Sequence, residues 1–364
     1  MRVAISTGGG DAPGLNAVIR AATLSAIRRG WEVVGIREGF TGLLNPGKYP
    51  GGGGVFHINR DDVRGIGHLG GTILGSTNIG NPTDYPVLQP NGTWISVDRT
   101  DELVDMFAKA GIDALISIGG DGSLAIARRL SEAGLKVVGV PKTIDNDLDK
   151  TASTFGFNTA VEFATECIDR VFSTATSHNR VMVVEVMGRY AGWIALHSGI
   201  AAAAHAILIP EIPFDLSKVA EMIIHRGTRK ANFAIVVVAE GAVPAGGTRS
   251  VIGKAIGQAE KLGGIGGRVA AELAELTGKE SRTVVLGHLL RGGSPTSFDR
   301  LLGTRFGAAA VRALDEGHHG IMVALNPPVV DYVPLAEATN RLKTVDPLSD
   351  TVISAKDLGI SFGD

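Results

Sequence analysis

The chain has one cysteine in 364 residues, so no disulfide framework can form within it. That residue, Cys167, falls among Val161, Ala164, Ile168 and Val171 at helical spacing and reads as core packing. Net charge is nearly absent as well: 35 Lys and Arg stand against 37 Asp and Glu, for a formal charge of -2. This lacks the global electrostatic signature of a nucleic-acid binder, and any anion site must be a local cluster. No clean membrane span is present. The longest uncharged run, Gly192 to Ile209, contains His197, Ser198 and His205, ends at Pro210, and predicts a buried helix running into a strand. The opening Met1-Arg-Val-Ala-Ile-Ser lacks the long apolar region and cleavage site of a signal peptide, which points to the cytoplasm. There is no fixed-period repeat, no low-complexity tract, no Walker phosphate-binding pattern and no dinucleotide fingerprint.

What the chain does have is alternation. Runs rich in Val and Ile at Val3–Ser6, Val33–Ile36, Leu115–Ile118, Val137–Val140, Val181–Val186, Ala206–Ile209, Ala234–Ala239, Val284–Leu286 and Met322–Leu325 predict strands, with helical patterns between most of them. This is the signature of an α/β fold with mostly parallel sheets, and 364 residues exceed what one core usually serves, so two lobes are expected. Leu15–Arg29 reads as a helix closed by Gly30, Ser123–Glu132 as one closed by Gly134, and Asp215–Arg229 as one capped by Asp215 or Ser217. Asn45–Val55 and Asn81–Thr93 read as surface loops, and the tail after Pro334 has no clear rhythm.

Glycine is abundant, at 50 residues, and clusters where strands end. Thr7-Gly-Gly-Gly-Asp-Ala-Pro-Gly14 lies between the first strand and the first helix, a place that favours a phosphate but that a ligand-free tight turn would fill as well. Gly119-Gly-Asp-Gly-Ser123 adds an acidic residue at a helix start. A carboxylate there repels phosphate unless Mg2+ lies between them, which makes Asp121 a metal candidate; a simple N-cap is the alternative. In Thr143-Ile-Asp-Asn-Asp147, the alternating Asp145 and Asp147 can face one cleft, one as proton acceptor, the other steering a metal or its neighbour's basicity; a plain turn uses the same residues. Two further strands end in Met187-Gly-Arg189 and in His288-Leu-Leu-Arg291, with glycines that allow close approach to an anion.

Taken in order, Gly-Gly-Asp-Ala-Pro-Gly, Gly-Gly-Asp-Gly-Ser, Pro-Lys-Thr-Ile-Asp-Asn-Asp, Glu-Val-Met-Gly-Arg-Tyr and Leu-Gly-His-Leu-Leu-Arg-Gly-Gly-Ser-Pro resemble the 6-phosphofructokinase family from about Val3 to Ala313. The resemblance implies two α/β sandwich lobes with the active site in the cleft between them: residues 1–156 plus about 290–325 for the donor, about 157–289 for the sugar phosphate, and 326–364 as an extension. It implies phosphoryl transfer from ATP to the 1-hydroxyl of fructose 6-phosphate, with Asp145 as base and Arg189 neutralising charge. Asp121 is implied to hold Mg2+, and Gly10, Gly120, Gly122 and Ser123 to hold the donor's phosphates. Thr143, Asp147, Met187, Gly188, Arg189, Glu240, His288 and Arg291 match the family's sugar-phosphate positions. Arg180 and Arg282 match arginines that reach a neighbouring subunit's site, implying a homo-oligomer, dimer or tetramer.

The donor is where the family divides. Glycine at position 122 goes with ATP, because a carboxylate there fills space needed by the α-phosphate; Lys142, in contrast, resembles pyrophosphate users, so the chain is a hybrid at these two positions. Asn78 stands where many ATP enzymes have an arginine, a charge that Lys142 is placed to supply. Leu24 and Phe172 replace effector-binding arginines, so the familiar effector regulation is not expected. The alternatives are a pyrophosphate-dependent phosphotransferase and, from another class, a non-catalytic sugar-phosphate sensor, which would need neither Asp121 nor Asp145.

Overall fold

The computed structural model describes residues 1–228, 232–253 and 260–364. In chain order its principal strands begin with β1 (Arg2–Thr7), β2 (Glu32–Ile36), β3 (Val55–His57), β4 (Ala114–Gly119) and β5 (Lys136–Thr143). They continue with β6 (Val181–Val186), β7 (Ala206–Leu208), β8 (Ala234–Ala239), β9 (Ser281–Val285), β10 (Ile321–Asn326) and β11 (Val329–Pro334). The helices used below are α1 (Leu15–Arg28), α2 (Asp121–Glu132), α3 (Phe157–His178), α4 (Trp193–Ala201), α5 (Leu216–Thr228), α6 (Ile265–Thr277), α7 (Ser297–Asp315) and α8 (Asp350–Asp357).

The larger sheet runs β11-β10-β5-β4-β1-β2-β3, with a short strand at Phe155–Gly156 beside β5. Its inner pairs are parallel, and antiparallel pairs close both edges. The smaller sheet, β7-β8-β6-β9, is parallel throughout. Alternate residues feed opposite faces: Val3 and Ile5 join one core, Ala4 the other, while Val181 and Val183 face away from Met182 and Val184. Both sheets are thus covered on two sides, which is why their central strands read as unbroken apolar runs.

Most predicted elements stand within a residue or two of their expected bounds. Gly30 and Gly134 follow their helices with φ of 74° and 99°, and the Asp215 carboxylate accepts from Ser217 N at 2.9 Å at the start of α5. Arg229, the expected last residue of that helix, lies outside the described residues. Two expectations need correction. The presumed loop Asn81–Thr93 contains half of a hairpin, Tyr85–Leu88 against Trp94–Val97, whose side chains are largely exposed, so apolar alternation does not mark it. The ninth strand is Ser281–Val285, not Val284–Leu286, because Ser281 and Arg282 supply backbone pairing to β6 at an exposed edge without an apolar side chain. Cys167 is half-buried on α3 and packs against the core. No described helix is long and apolar enough to cross a membrane.

Two helices at the centre of the larger lobe, α1 and α7, approach through glycine. A Cβ on Gly307 would sit 2.4 Å from Val18 O, a backbone atom that cannot move aside. Gly307→Ala is expected to destabilise the chain by about 1–3 kcal/mol despite alanine's better helix propensity, lowering the thermal unfolding midpoint by several degrees in a melting experiment.

Candidate active site

Three adjacent parallel strands deliver their turns to one edge. Thr7 of β1 pairs with Ile118 of β4, and Gly119 pairs with Pro141 of β5, so Gly8–Gly14, Gly120–Ser123 and Lys142–Asp147 emerge side by side at the carboxyl end of the sheet. The turns touch through backbone: Gly8 N donates to Ile118 O at 2.9 Å, and a Cβ on Gly120 would lie 3.3 Å from Lys142 O. Gly119 has no room for any side chain, since a Cβ there would be 2.5 Å from Ser123 Oγ.

Gly122 is different. Its φ lies outside the left-handed range and a Cβ would meet nothing within 4 Å, so neither backbone conformation nor packing requires glycine there. The space beside it is open. The α2 helix just behind has no side-chain cap, which leaves its first N–H groups free for an anion. Asp121, its first residue, is exposed and is not the N-cap.

From the smaller lobe, β6 runs out into buried Met187, then Gly188 at φ 143° and Arg189 at φ 49°. A non-glycine residue in the left-handed region costs about 1 kcal/mol or more and needs surrounding structure to hold it. Glu240, at the end of β8, accepts from Arg189 N at 3.2 Å. Gly241 lies so close that a Cβ would overlap Arg189 O, so a side chain there would displace the arginine turn. After β9 the chain enters Gly287–Arg291, and the Arg291 guanidinium crosses to the first turn, donating to Asp11 O at 3.1 Å and lying against Gly10. Gly10, Asp11, Thr72, Ser76, Asn78, His288 and Arg291 line a cleft of about 380 Å³.

Asp145 is 5% exposed, yet its Oδ1 has no hydrogen-bond partner, and the same holds for Oδ1 of Asp147. Buried oxygens without a protein partner are uncommon, and each of these can still accept a hydrogen bond. Burial pushes the Asp145 carboxyl well above its ordinary range; the Arg291, Arg189 and Lys142 charges oppose that shift and Glu240 adds to it. Asp147 is raised too, by burial first and then by repulsion from Asp145 and Asp121. Lys142 points back at the first turn, donating to Gly10 O. Burial and then Arg291 lower its ammonium to about 8, against the pull of Asp145, Asp11 and Asp147. Glu240 is raised by burial, which the hydrogen bond from Arg189 N offsets in part.

The structure therefore brings Gly10, Gly120, Asp121, Gly122, Ser123, Lys142, Thr143, Asp145, Asp147, Arg189, Glu240 and Arg291 into one linked set of turns and charges, with His288 on the cleft wall. It does not join Arg180 and Arg282 to that set: both pair with Glu280, at 3.0 and 2.6 Å, on the β9 side of the smaller sheet. Sequence reasoning singled out the glycine-rich turn that carries Asp11 but gave Asp11 itself no role, and it gave none to Thr72 and Ser76; all three line the cleft as short polar residues. It also passed over Lys343, whose tail segment has no periodic signal at all.

A phosphofructokinase family model matches residues 2–314. The chain is 50% identical over 372 residues to an ATP-dependent 6-phosphofructokinase of Chloroflexus aurantiacus, covering 100% of this chain and 98% of that one. It is 51% identical over 351 residues to a pyrophosphate–fructose 6-phosphate 1-phosphotransferase of Amycolatopsis methanolica, covering 95% and 97%. A phosphofructokinase of Pichia pastoris, solved in the T-state, superposes with a TM-score of 0.79 at 31% identity over 98% of this chain, which spans only 36% of that longer one. The turns gathered at the sheet edge, the two α/β lobes and these likenesses agree: the chain belongs to the phosphofructokinase family.

Proposed function

We propose that the chain is an ATP-dependent 6-phosphofructokinase, transferring the terminal phosphoryl group of ATP to the 1-hydroxyl of fructose 6-phosphate. The observation that carries the reading is the buried Asp145 carboxylate with an unpartnered oxygen, set between a glycine-lined edge and three cationic side chains. A hydroxyl donating to that oxygen would complete its hydrogen bonding. As the substrate oxygen attacks phosphorus, Asp145 takes its proton, the bond from phosphorus to the bridging oxygen breaks, and ADP leaves with the electron pair.

Arg189, Arg291 and Lys142 neutralise the charge that develops on the transferring group, from positions already fixed before the reaction. Thr143 and Asp147 with Met187, Gly188, Arg189, Glu240, His288 and Arg291 would hold the sugar phosphate; Gly10, Gly120, Gly122 and Ser123 would hold the donor. The uncapped, exposed start of α2, with Asp121 as its first residue, suits a metal-bridged phosphate. Asp121 would hold Mg2+, which when bound supplies positive charge to the donor's phosphates.

The open space at Gly122 supports a nucleotide as donor. Lys142, whose ammonium donates to Gly10 O in the donor cradle, is the residue type that resembles pyrophosphate users, and a relative 51% identical is named a pyrophosphate–fructose 6-phosphate 1-phosphotransferase; pyrophosphate is therefore the second reading. A homo-oligomer belongs to the same proposal. Val285 and Leu289, at and beyond the end of β9, are 57% and 63% exposed, apolar surface of the kind a second copy would cover, and Arg180 and Arg282, which lie outside this chain's own site, would reach the site of that copy. A cytoplasmic setting accords with a single unpaired cysteine.

Asp145→Asn is expected to lower kcat by about 100- to 10,000-fold while fructose 6-phosphate still binds by calorimetry; near-normal turnover would overturn the base assignment. The pH dependence follows from the shifted groups. Asp145 must be ionised, so kcat/KM falls as pH drops through a value above the ordinary carboxylate range. Lys142 must be charged, so kcat/KM also falls as pH rises through about 8. Steady-state rates across pH should give a bell, and Lys142→Met should lose its alkaline limb. With ATP and pyrophosphate compared side by side, the wild-type chain should turn over ATP preferentially and Gly122→Asp should reverse or erase that preference; a wild-type preference for pyrophosphate would favour the second reading.

A further inference from the structure

After β11 the chain leaves the larger sheet and ends in the core of the smaller lobe, and between the two it passes the Asp145 turn. Leu335 and Ala338 are buried with the larger sheet, whereas Val345, Val352, Ala355 and Phe362 are buried with the smaller one. The end is stitched there by backbone: Ile207 N donates to Ser361 O at 2.9 Å and Asp215 N to Gly363 O at 2.8 Å. Midway, Leu342 bridges Leu148 and Lys343 N donates to Asp147 O at 2.8 Å.

Lys343 grips the same loop with its side chain. Its ammonium donates to Ala152 O at 2.8 Å, to Thr151 O at 3.0 Å and to Asn146 Oδ1 at 3.4 Å. Asn146, between the two aspartates, has φ 52°, and its Oδ1 also accepts from Thr154 N at 3.1 Å. A residue in that conformation keeps it only where neighbours determine it, and here Thr154 and Lys343 do so. The other side of Lys343 faces α4. Trp193 Nε1 donates to Lys343 O at 2.9 Å, and the ammonium lies 5.5 Å from the indole centre. One residue earlier, Gly192 N donates to the Glu211 carboxylate, which accepts from Val345 N at 2.8 Å as well. The Arg189 turn leads directly into this helix.

We propose that Lys343 is a positioning residue for the Asp145–Asn146–Asp147 turn, and that through Trp193 it fixes the spacing between that turn and the helix following Arg189. The proton acceptor sits on the larger lobe and the arginine on the smaller, so one residue, bonded to the first by its ammonium and to Trp193 by its carbonyl, keeps the two in register. This inference rests on the reading of Asp145 as the base.

The test uses the full chain with Lys343→Met, which keeps the stem and removes the ammonium. Misplacing a catalytic group by a fraction of an ångström is costly, so kcat is expected to fall about 30-fold with KM for either substrate changed less than about 3-fold. Amide hydrogen exchange of residues 143–154 should rise about 10-fold while that of β1 and β4 is unchanged. Wild-type kcat with wild-type exchange at 143–154, or a raised KM at unchanged kcat, would overturn the proposal. If Lys343→Met does not fold, Trp193→Phe decides: it keeps the ring and removes the N–H, and it should lower kcat about 3-fold and loosen 143–154, whereas no change in either overturns the proposal. Should the wild-type chain transfer phosphoryl from neither donor, the activity reading fails separately, and the exchange at 143–154 alone decides whether Lys343 holds the turn.

Discussion

The parallel pairing of β1, β4 and β5 is the constraint from which the site follows. Because Thr7 pairs with Ile118 and Gly119 with Pro141, three turns leave the sheet at one edge, close enough that glycine is needed where they touch. Gly119 leaves room for the Ser123 side chain, and Gly120 for the close backbone of Lys142. Gly122 is there for space: it touches nothing, so its lack of a side chain matters only to what binds beside it. The same edge collects charge, since Asp121, Lys142, Asp145 and Asp147 all lie within two turns of one another: Asp145 and Asp121 help raise Asp147, and Asp145 and Asp147 oppose the lowering of Lys142.

Burying Asp145, Asp147 and Lys142 is unfavourable, and for Asp145 the positive charges of Arg291, Arg189 and Lys142 oppose that cost in part. Arg291 comes from beyond β9 to rest on Gly10 and Asp11, and Arg189 is held in a left-handed conformation by Glu240 and by the close backbone of Gly241. Asn146, between Asp145 and Asp147 on the larger lobe, is a second left-handed residue. Strained backbone stands where each lobe presents its functional turn, and in both places a side chain from a distant stretch of sequence holds it, Glu240 in one and Lys343 in the other.

Much of this was legible beforehand for a physical reason. Strands buried on both faces are apolar throughout, so β4, β5 and β6 announce themselves, and the segments after them stand out by abrupt glycines or acids at the strand ends. Edge elements carry no such obligation: the Tyr85–Val97 hairpin is exposed on both faces, and β9 begins with Ser281 and Arg282, so neither boundary could be read from apolar pattern. Asp11, Thr72 and Ser76 escaped because short polar residues in a loop look alike whether they line a cleft or face solvent.

By itself the sequence determined the α/β class, the order of its strands and helices, the turns with their acids and bases, and the family, because these depend on local periodicity and on residue types at fixed spacing. Tertiary structure alone decided which of those groups share a field. The unpartnered oxygen of Asp145, the lowered ammonium of Lys142, the crossing of Arg291 to the first turn and the strap through Lys343 all arise from contacts between residues up to 280 positions apart, and no local pattern encodes such a distance.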